Sequence, residues 1–557
     1  MESLRNRPLY RSTTTDLGLN GAAGPPYVDS SATAHGGRDV RTSVEGATDR
    51  VAVSMFEIVI LLLVSLVGFA GILYATTAGA GTGPDSASYV MAARNLLAGH
   101  GLSVASPQTG EPVPMTHFPP LFSWMLAGIG FFIHDPLAAA RWLNAFLFAA
   151  NIFMLGYAFR RMGASQLLAL SCALGMLTSL PMIFVHTWVL SEALFFFLAF
   201  LGLILLSEFI TYPSMAFLIA ASAALALAWT ARYVGVTLAL AAGISLLLFT
   251  QARWLNRIGY AAMMGGIVAL PIAVVVLRNH ATGGSMTDRQ MVIHPVVTMQ
   301  YLWLSLEKIA TWLVPSVVPS YLQRGLALVL IAFAVFPLYR MLGSKTQNRR
   351  IINLHKVVLT FTLCYLAVLV ATLIFFDADI RIDDRDLSPF YLCGLVLVEC
   401  QFALLVNSGR RAFQSFAAVA LVLALLVSAP RAAKLIAATH ATGLGFLREH
   451  WKAAEFTKAI QGLDPADTIV SDSTAGVFFL SGKTALALPY KVDAHTTTAN
   501  THYSEEMAEL GTRVSRGKSD FVFFKTYGDV QAEADLIQSF RLNLVESTPD
   551  GNIYRTP

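Results

Sequence analysis

Apolar runs long enough to cross a lipid bilayer recur along most of this 557-residue chain. Nothing else in the sequence constrains the fold as strongly. About 20 apolar residues in a helix match the hydrocarbon thickness of a bilayer, and backbone groups in lipid must be satisfied within the segment. A chain built mostly of such runs folds as a polytopic α-helical membrane protein. Composition agrees: 55% of residues are hydrophobic and 13% are charged, against roughly a quarter charged in a soluble domain. The formal net charge of +4 is modest, and no basic stretch with interleaved aromatics marks a nucleic-acid partner. Cys172, Cys364, Cys393 and Cys400 all fall within apolar runs. They read as small residues in helix packing, with no disulfide framework or thiolate metal site.

Residues 1–52 are rich in Ser, Thr, Gly and Ala and lack a periodic apolar face. They read as a disordered cytoplasmic tail, too long and polar for the start of a cleaved signal peptide. Residues 53–75 then act as an uncleaved signal anchor. Lys and Arg in the short loops orient the rest. The first span, 55–75, leads to an outer loop, 77–136. Within it, 119–133 is apolar but short and opens with two prolines, so it reads as a re-entrant or surface-lying helix. Spans follow at 137–159, 166–185, 189–209, 214–229, 234–249 and 261–277. A second outer loop, 279–323, contains an amphipathic interfacial helix at 299–313. The last spans are 326–339, 357–376, 389–406 and 416–428. This gives about 11 transmembrane helices. It puts Arg160-Arg161, Arg410-Arg411 and the basic cluster from Lys345 to Lys356 on one side.

The membrane domain is thus 53–430. Beyond it, charges return and no run of spanning length remains. Residues 431–557 read as a small C-terminal α/β extracytoplasmic domain. Helices are expected at 447–460 and 504–516, and short strands at 468–473, 477–480, 485–488 and 521–525.

Polar groups gather at the outer helix ends. Asp85, Tyr89 and Arg94 lie on the first loop, and His117 precedes its double proline. Glu192 opens a span in LSEALFFF, Arg232 lies between two spans, and Arg278-Asn279 follow another. Arg381, Asp383, Asp384 and Arg385 precede the tenth span. Charges at one membrane level, brought by different helices, point to a shared polar cavity. An ionised Asp85 suits a general base for an attacking hydroxyl; it equally suits the N-cap of the helix at 86–98. Glu192 is either functional or a first-turn acid favoured by the helix dipole. Arg232, Arg278 and Arg385 offer guanidinium forks for phosphate oxygens, or contacts to lipid headgroups. Asp383 and Asp384 are open to pairing with Arg381 and Arg385. A divalent metal between Asp85 and one of these acids stays open, because the spacing does not specify it. His117 and His186 carry no HxxxH-type ligand spacing.

Taken in order, these motifs form a series. PDSASYVMAARNLLAGHGL followed by HFPPLFSWMLAGIG resembles the first outer loop of bacterial GT-C membrane glycosyltransferases, relatives of protein O-mannosyltransferases and of the lipid A aminoarabinose transferase. DPLAAARWLNAFLFAANIFMLGYAFRRMG resembles their next span, and LSEALFFF, WTARYVG, LRNHATG and DDRDLSPF their later outer-face motifs. The resemblance spans residues 53–406. It implies an inverting transferase of the cell membrane that moves a sugar from a polyprenyl-phosphate donor to an acceptor hydroxyl at the extracytoplasmic face. It implies Asp85 as base, with Arg278, Arg232 and Arg385 on the donor phosphate and Tyr89, His117, Glu192, Asn279 and Asp384 nearby. No cofactor is obligatory, because the leaving group is already a phosphate. The acceptor is a glycan, lipid or protein. Ser86 stands where many relatives have Glu after the first-loop Asp, and Phe118 where aminoarabinose transferases have Lys. Neither a protein-mannosylation substrate nor a lipid A acceptor is therefore implied. A transporter or lipid-linked-sugar flippase is the competing reading, and a glycan-binding scaffold a third. The charges sit at one face and not at the midplane, and no internal repeat is visible, both against a transporter.

Overall fold

The computed structural model describes residues 52–282, 291, 293, 299–337, 348–376, 383–493, 498–526 and 530–557. The expected N-terminal tail, the middle of the second loop, and Arg340, Lys345 and Arg381 lie outside the described residues.

The membrane bundle is built from α1 (Met55–Ala75), α4 (Pro136–Arg161), the pair α5 (Gln166–Leu177) and α6 (Leu180–Thr187), α7 (Glu192–Thr211), α8 (Met215–Ala231), α9 (Val236–Phe249) and α10 (Trp254–Ala281). After a short helix α11 (Met299–Thr311) come α12 (Ser320–Val335), α13 (Arg349–Phe375), α14 (Ser388–Asn407) and α15 (Arg411–Thr442). Seven of these are long and apolar enough to span a bilayer, and the α5–α6 pair makes an eighth if its 52° bend is one broken span. The bend has a local cause: Ser179 caps a new helix whose first turn carries Pro181, so the backbone ladder of α5 cannot run on. Helix α7 is the centre of the bundle, with 78% of its apolar window buried, whereas α15 at 6% is on the rim.

Contacts sort the helix ends into two sets. At one end, Arg160 donates to Glu57 (2.5 Å), and Arg350 forks onto Glu208 (2.9 and 2.5 Å) while also bonding the Arg161 carbonyl. The opposite end carries the first loop. There α2 (Pro84–Leu97) is followed by a hairpin, β1 (Ser103–Ala105) with β2 (Pro112–Pro114), and by α3 (Leu121–Ile133). As expected for a 13-residue helix, α3 is too short to span.

After α15 come α16 (Glu449–Ala453) and α17 (Glu455–Gly462), two short helices where one was expected. A five-stranded sheet follows, built from β3 (Thr468–Ser471), β4 (Leu486–Ala487), β5 (Ser519–Phe524), β6 (Asn543–Ser547) and β7 (Gly551–Arg555). Its order is β4-β3-β5-β7-β6, with β4, β3 and β5 parallel and β7 antiparallel to both neighbours. The other helices of this unit are α18 (Thr474–Ser481), α19 (Tyr503–Val514) and α20 (Val530–Phe540). The expected strand at 477–480 is instead the body of α18. Ser473 caps that helix by accepting from the Gly476 N–H, and Val477, Phe478 and Leu480 are buried. A short apolar run buried on all sides reads the same as strand or helix.

The sheet unit packs on the first loop. The Ala487 N–H donates to the Pro107 carbonyl (2.6 Å), Arg513 donates to Thr109 (3.3 Å), and Arg94 lies 5.3 Å over the Phe478 ring. Thr82 and Gly445 form an isolated parallel bridge beside another between Gly81 and Trp188. Gly445 has φ +58, and a Cβ there would sit 2.0 Å from the Thr82 carbonyl oxygen, so the contact requires glycine.

Candidate active site

Four charged side chains from four separate elements meet at the first-loop end of the bundle. Asp85 lies in the first turn of α2, whose N-cap is Gly83. The cap interaction belongs to Ser86, whose hydroxyl accepts from the Gly83 N–H (3.1 Å) and donates to the Val189 carbonyl (3.0 Å). The N-cap reading of Asp85 is therefore corrected. Its carboxylate turns away and accepts from Arg385 Nη2 at 2.5 Å. Arg385 sits in the turn before α14, and its Nε donates to Glu192 Oε1. Arg232, between α8 and a 3₁₀ turn at Tyr233–Gly235, pairs with the same Glu192 oxygen. Glu192 is buried at the start of α7, and its Oε2 has no hydrogen-bond partner among the described residues.

Two carboxylates thus face two guanidiniums, with zero net charge among them. Burial works against the charge of Arg385, but Glu192 and Asp85 outweigh it and raise the group above its ordinary value. Arg232 is raised in the same way, with Glu192 again offsetting burial. Beside them, burial and the Asp383 charge push Asp386 up to about 6. Tyr89, fully buried, shares a 3.0 Å hydrogen bond with Ser191 and packs edge-on against Phe122. Burial pushes its phenol well up.

The remaining candidates are held elsewhere. Arg278 donates to the Met115 and Leu102 carbonyls (2.9 Å each) and to Asn279 Oδ1 (3.1 Å). Asn279 donates to the Tyr233 hydroxyl (3.4 Å), which donates to the Thr116 carbonyl (2.8 Å). Together they clamp the returning arm of the first loop. His117 packs edge-on against Phe118. Asp384 accepts from Trp312 Nε1 (3.1 Å) and pairs with Lys308 on α11 (2.8 Å). His186 is buried and bonds the Met182 carbonyl.

Sequence reasoning missed Lys308, Trp312, Ser191 and Asp386. Asp386 stood in the same charged run as Asp384; nothing in the sequence linked Lys308 or Trp312 to it. Asp85 and Asp384 face different cations, and no group of three metal-ligating side chains occurs among the described residues.

Two cavities are lined by elements that carry or touch these residues. One, about 590 Å³, is apolar and lined by Leu121, Met125 and Ile129 of α3 with Trp142, Phe146 and Leu194. The other, also about 590 Å³, has a mixed lining of mostly polar residues and lies between α11 and the start of α12. Helix α3 borders the apolar cavity, whereas α11 presents Gln300, Leu304, Glu307, Lys308 and Thr311 to the other.

No family model matches the sequence, and no curated protein matches it. Solved structures do match the fold. The archaeal oligosaccharyltransferase AglB from Archaeoglobus fulgidus, solved in complex with an inhibitory peptide and a dolichol-phosphate, aligns at TM-score 0.51 and 12% identity, covering 90% of this chain and 74% of that one. The arabinofuranosyltransferase AftD from Mycobacteria aligns at TM-score 0.51 and 14% identity, covering 91% of this chain and 40% of that one. ArnT from Cupriavidus metallidurans aligns at 0.47 and 15% identity over 89% of this chain and 97% of that one. AglB and AftD are GT-C glycosyltransferases, and this chain has their fold.

Proposed function

We propose that this protein transfers a sugar from a polyprenyl-phosphate donor to an acceptor hydroxyl, with inversion, at the extracytoplasmic face of the cell membrane. The observation that carries the reading is the Asp85–Arg385–Glu192–Arg232 cluster, assembled from four elements at one end of a bundle with a transferase fold. The fold match to AglB, solved with a dolichol-phosphate, supports a lipid-phosphate donor. In this reading the chain crosses the membrane eleven times, the α5–α6 pair counting once and the shorter α8, α9 and α12 crossing as well, with the Glu57–Arg160 end cytoplasmic and the sheet unit outside.

The chemistry follows from the charges. The donor phosphate competes for Arg385 and Arg232, which neutralise the charge that develops as the lipid phosphate leaves. Arg385 is then drawn from Asp85, whose free carboxylate takes the proton of the acceptor hydroxyl. That oxygen attacks the anomeric carbon opposite the departing phosphate. Glu192 holds the two arginines in register. Arg278 and Asn279 keep the first loop, and so Asp85, in place. The apolar groove beside α3 receives the prenyl chain. No step requires a metal.

The test is Asp85→Asn in a membrane assay with a panel of polyprenyl-phosphate sugars. Asparagine keeps an acceptor for Arg385 but is no base. Transfer should fall by roughly 10²–10⁴-fold, with donor binding and thermal midpoint retained. Unchanged transfer would remove Asp85 from the mechanism.

A further inference from the structure

We propose that the polar cavity between α11 and α12 is a binding site for an uncharged carbohydrate, the glycan end of the acceptor. This rests on the transferase reading and narrows its acceptor class.

The chemistry of the lining carries the proposal. Gln300, Tyr301, Thr311, Ser316 and Ser320 bring an amide, hydroxyls and one aromatic ring, beside Leu304, to a cavity of about 590 Å³. That mixture offers donors and acceptors together, as sugar hydroxyls need, and a ring face for sugar C–H groups. The charges on the wall are already spent. Lys308 pairs with Asp384 (2.8 Å), and Glu307 accepts from Arg324 Nε (2.7 Å) and Nη2 (2.5 Å). A phosphate or an ammonium would have to break one of these pairs. An apolar chain would cover the amide and the hydroxyls without bonding them, which is unfavourable. A neutral polyhydroxylated ligand meets neither penalty.

Position gives the cavity its role. Lys308 lines it and holds Asp384, the residue before Arg385, whose guanidinium holds Asp85. Trp312 Nε1 bonds Asp384 too (3.1 Å), and Arg431 fixes the end of α11 through the Thr311 carbonyl (2.5 Å). The cavity wall is therefore one salt bridge from the turn that carries Arg385. A glycan seated there is linked through Lys308 and Asp384 to the turn that carries Arg385.

The experiment uses the full chain in lipid nanodiscs, without sugar-based detergent. Saturation-transfer NMR measures binding of maltotriose, mannotriose and arabinotriose, with trigalacturonate as a charged control and polyprenyl phosphate followed separately. At least one neutral trisaccharide should bind the wild type and the charged one should not. Tyr301→Ala and Ser316→Trp, which strip and fill the cavity, should each weaken that binding at least tenfold. Their thermal midpoint and polyprenyl-phosphate affinity should not change. Binding of no neutral trisaccharide, equal binding in both variants, or preference for trigalacturonate overturns the proposal. So does weaker polyprenyl-phosphate binding in both variants, which would assign the cavity to the donor. Failure of the wild type to bind polyprenyl phosphate at all would instead sink the transferase reading, while trisaccharide binding would still stand.

Discussion

Replacing Glu192 by Gln tests whether the cluster is held together by charge. Glu192 accepts both Arg232 and Arg385 on one oxygen and is 2% exposed. The substitution preserves shape and an acceptor oxygen but changes the four-group cluster from neutral to +1. Removing one partner of a buried ion pair costs about 3–5 kcal/mol, chiefly because the other charge is left uncompensated. Here Arg385 keeps Asp85 (2.5 Å), and the two arginine side chains are 23% and 27% exposed, so the lower end applies. A loss of about 3 kcal/mol corresponds to a fall of roughly 6–12 °C in the unfolding midpoint, taking 2–4 °C per kcal/mol. Intrinsic tryptophan fluorescence on heating would measure it. The uncompensated positive charge also makes a second, opposite prediction. Polyprenyl phosphate should stabilise Glu192→Gln by more degrees than it stabilises the wild type, because the anion restores neutrality. A variant as stable as the wild type, with the same response to the lipid, would refute the argument that Glu192 supplies the counter-charge.

Three other perturbations separate the roles of neighbouring residues. Arg278→Ala should reduce transfer through a loosened first loop while leaving polyprenyl-phosphate affinity within about threefold, less than the tenfold that 1.4 kcal/mol represents; a larger loss of affinity would put Arg278 on the phosphate. Gly445→Ala must strain a positive φ and push on the Thr82 carbonyl, costing about 2–4 kcal/mol by left-handed strain plus overpacking; limited proteolysis should then cut between α15 and the sheet unit. In that unit, Asp472 is pushed up to about 6 by burial, despite accepting the Phe524 N–H. A carboxylate raised in the folded state stabilises below its unfolded pKa, near 4, and that contribution is lost as pH rises through about 6. Asp472→Asn should therefore raise the unfolding midpoint at pH 8, with the gain vanishing near pH 4.

What the sequence made legible follows from what a bilayer dictates. Lipid forces every crossing segment to be apolar and helical, so the helices from Met55–Ala75 to Arg411–Thr442 were visible as runs before any contact was known. The sheet unit shows no such run of spanning length. There 477–480 was misread as strand, and Val530–Phe540, Asn543–Ser547 and Gly551–Arg555 left no signal strong enough to find. The site shows the same division. A bilayer fixes the height of a helix end but not its bearing around the bundle. Height alone grouped Asp85, Glu192, Arg232, Arg278, Asp384 and Arg385. Bearing divides them: Arg385 reaches Asp85 across 300 residues and Glu192 across 193, while Arg278 turns to the carbonyls of Leu102 and Met115 and Asp384 to Lys308. Each diverted residue keeps a partner whose position in the chain gives no hint of the pairing. The cap reading of Asp85 fell for a related reason. Ser86, one residue on, supplies the cap, and that frees the Asp85 carboxylate for a group brought from another helix end. A local rule nominated Asp85 for the cap; only the third dimension shows Ser86 serving the helix start and Asp85 available for chemistry.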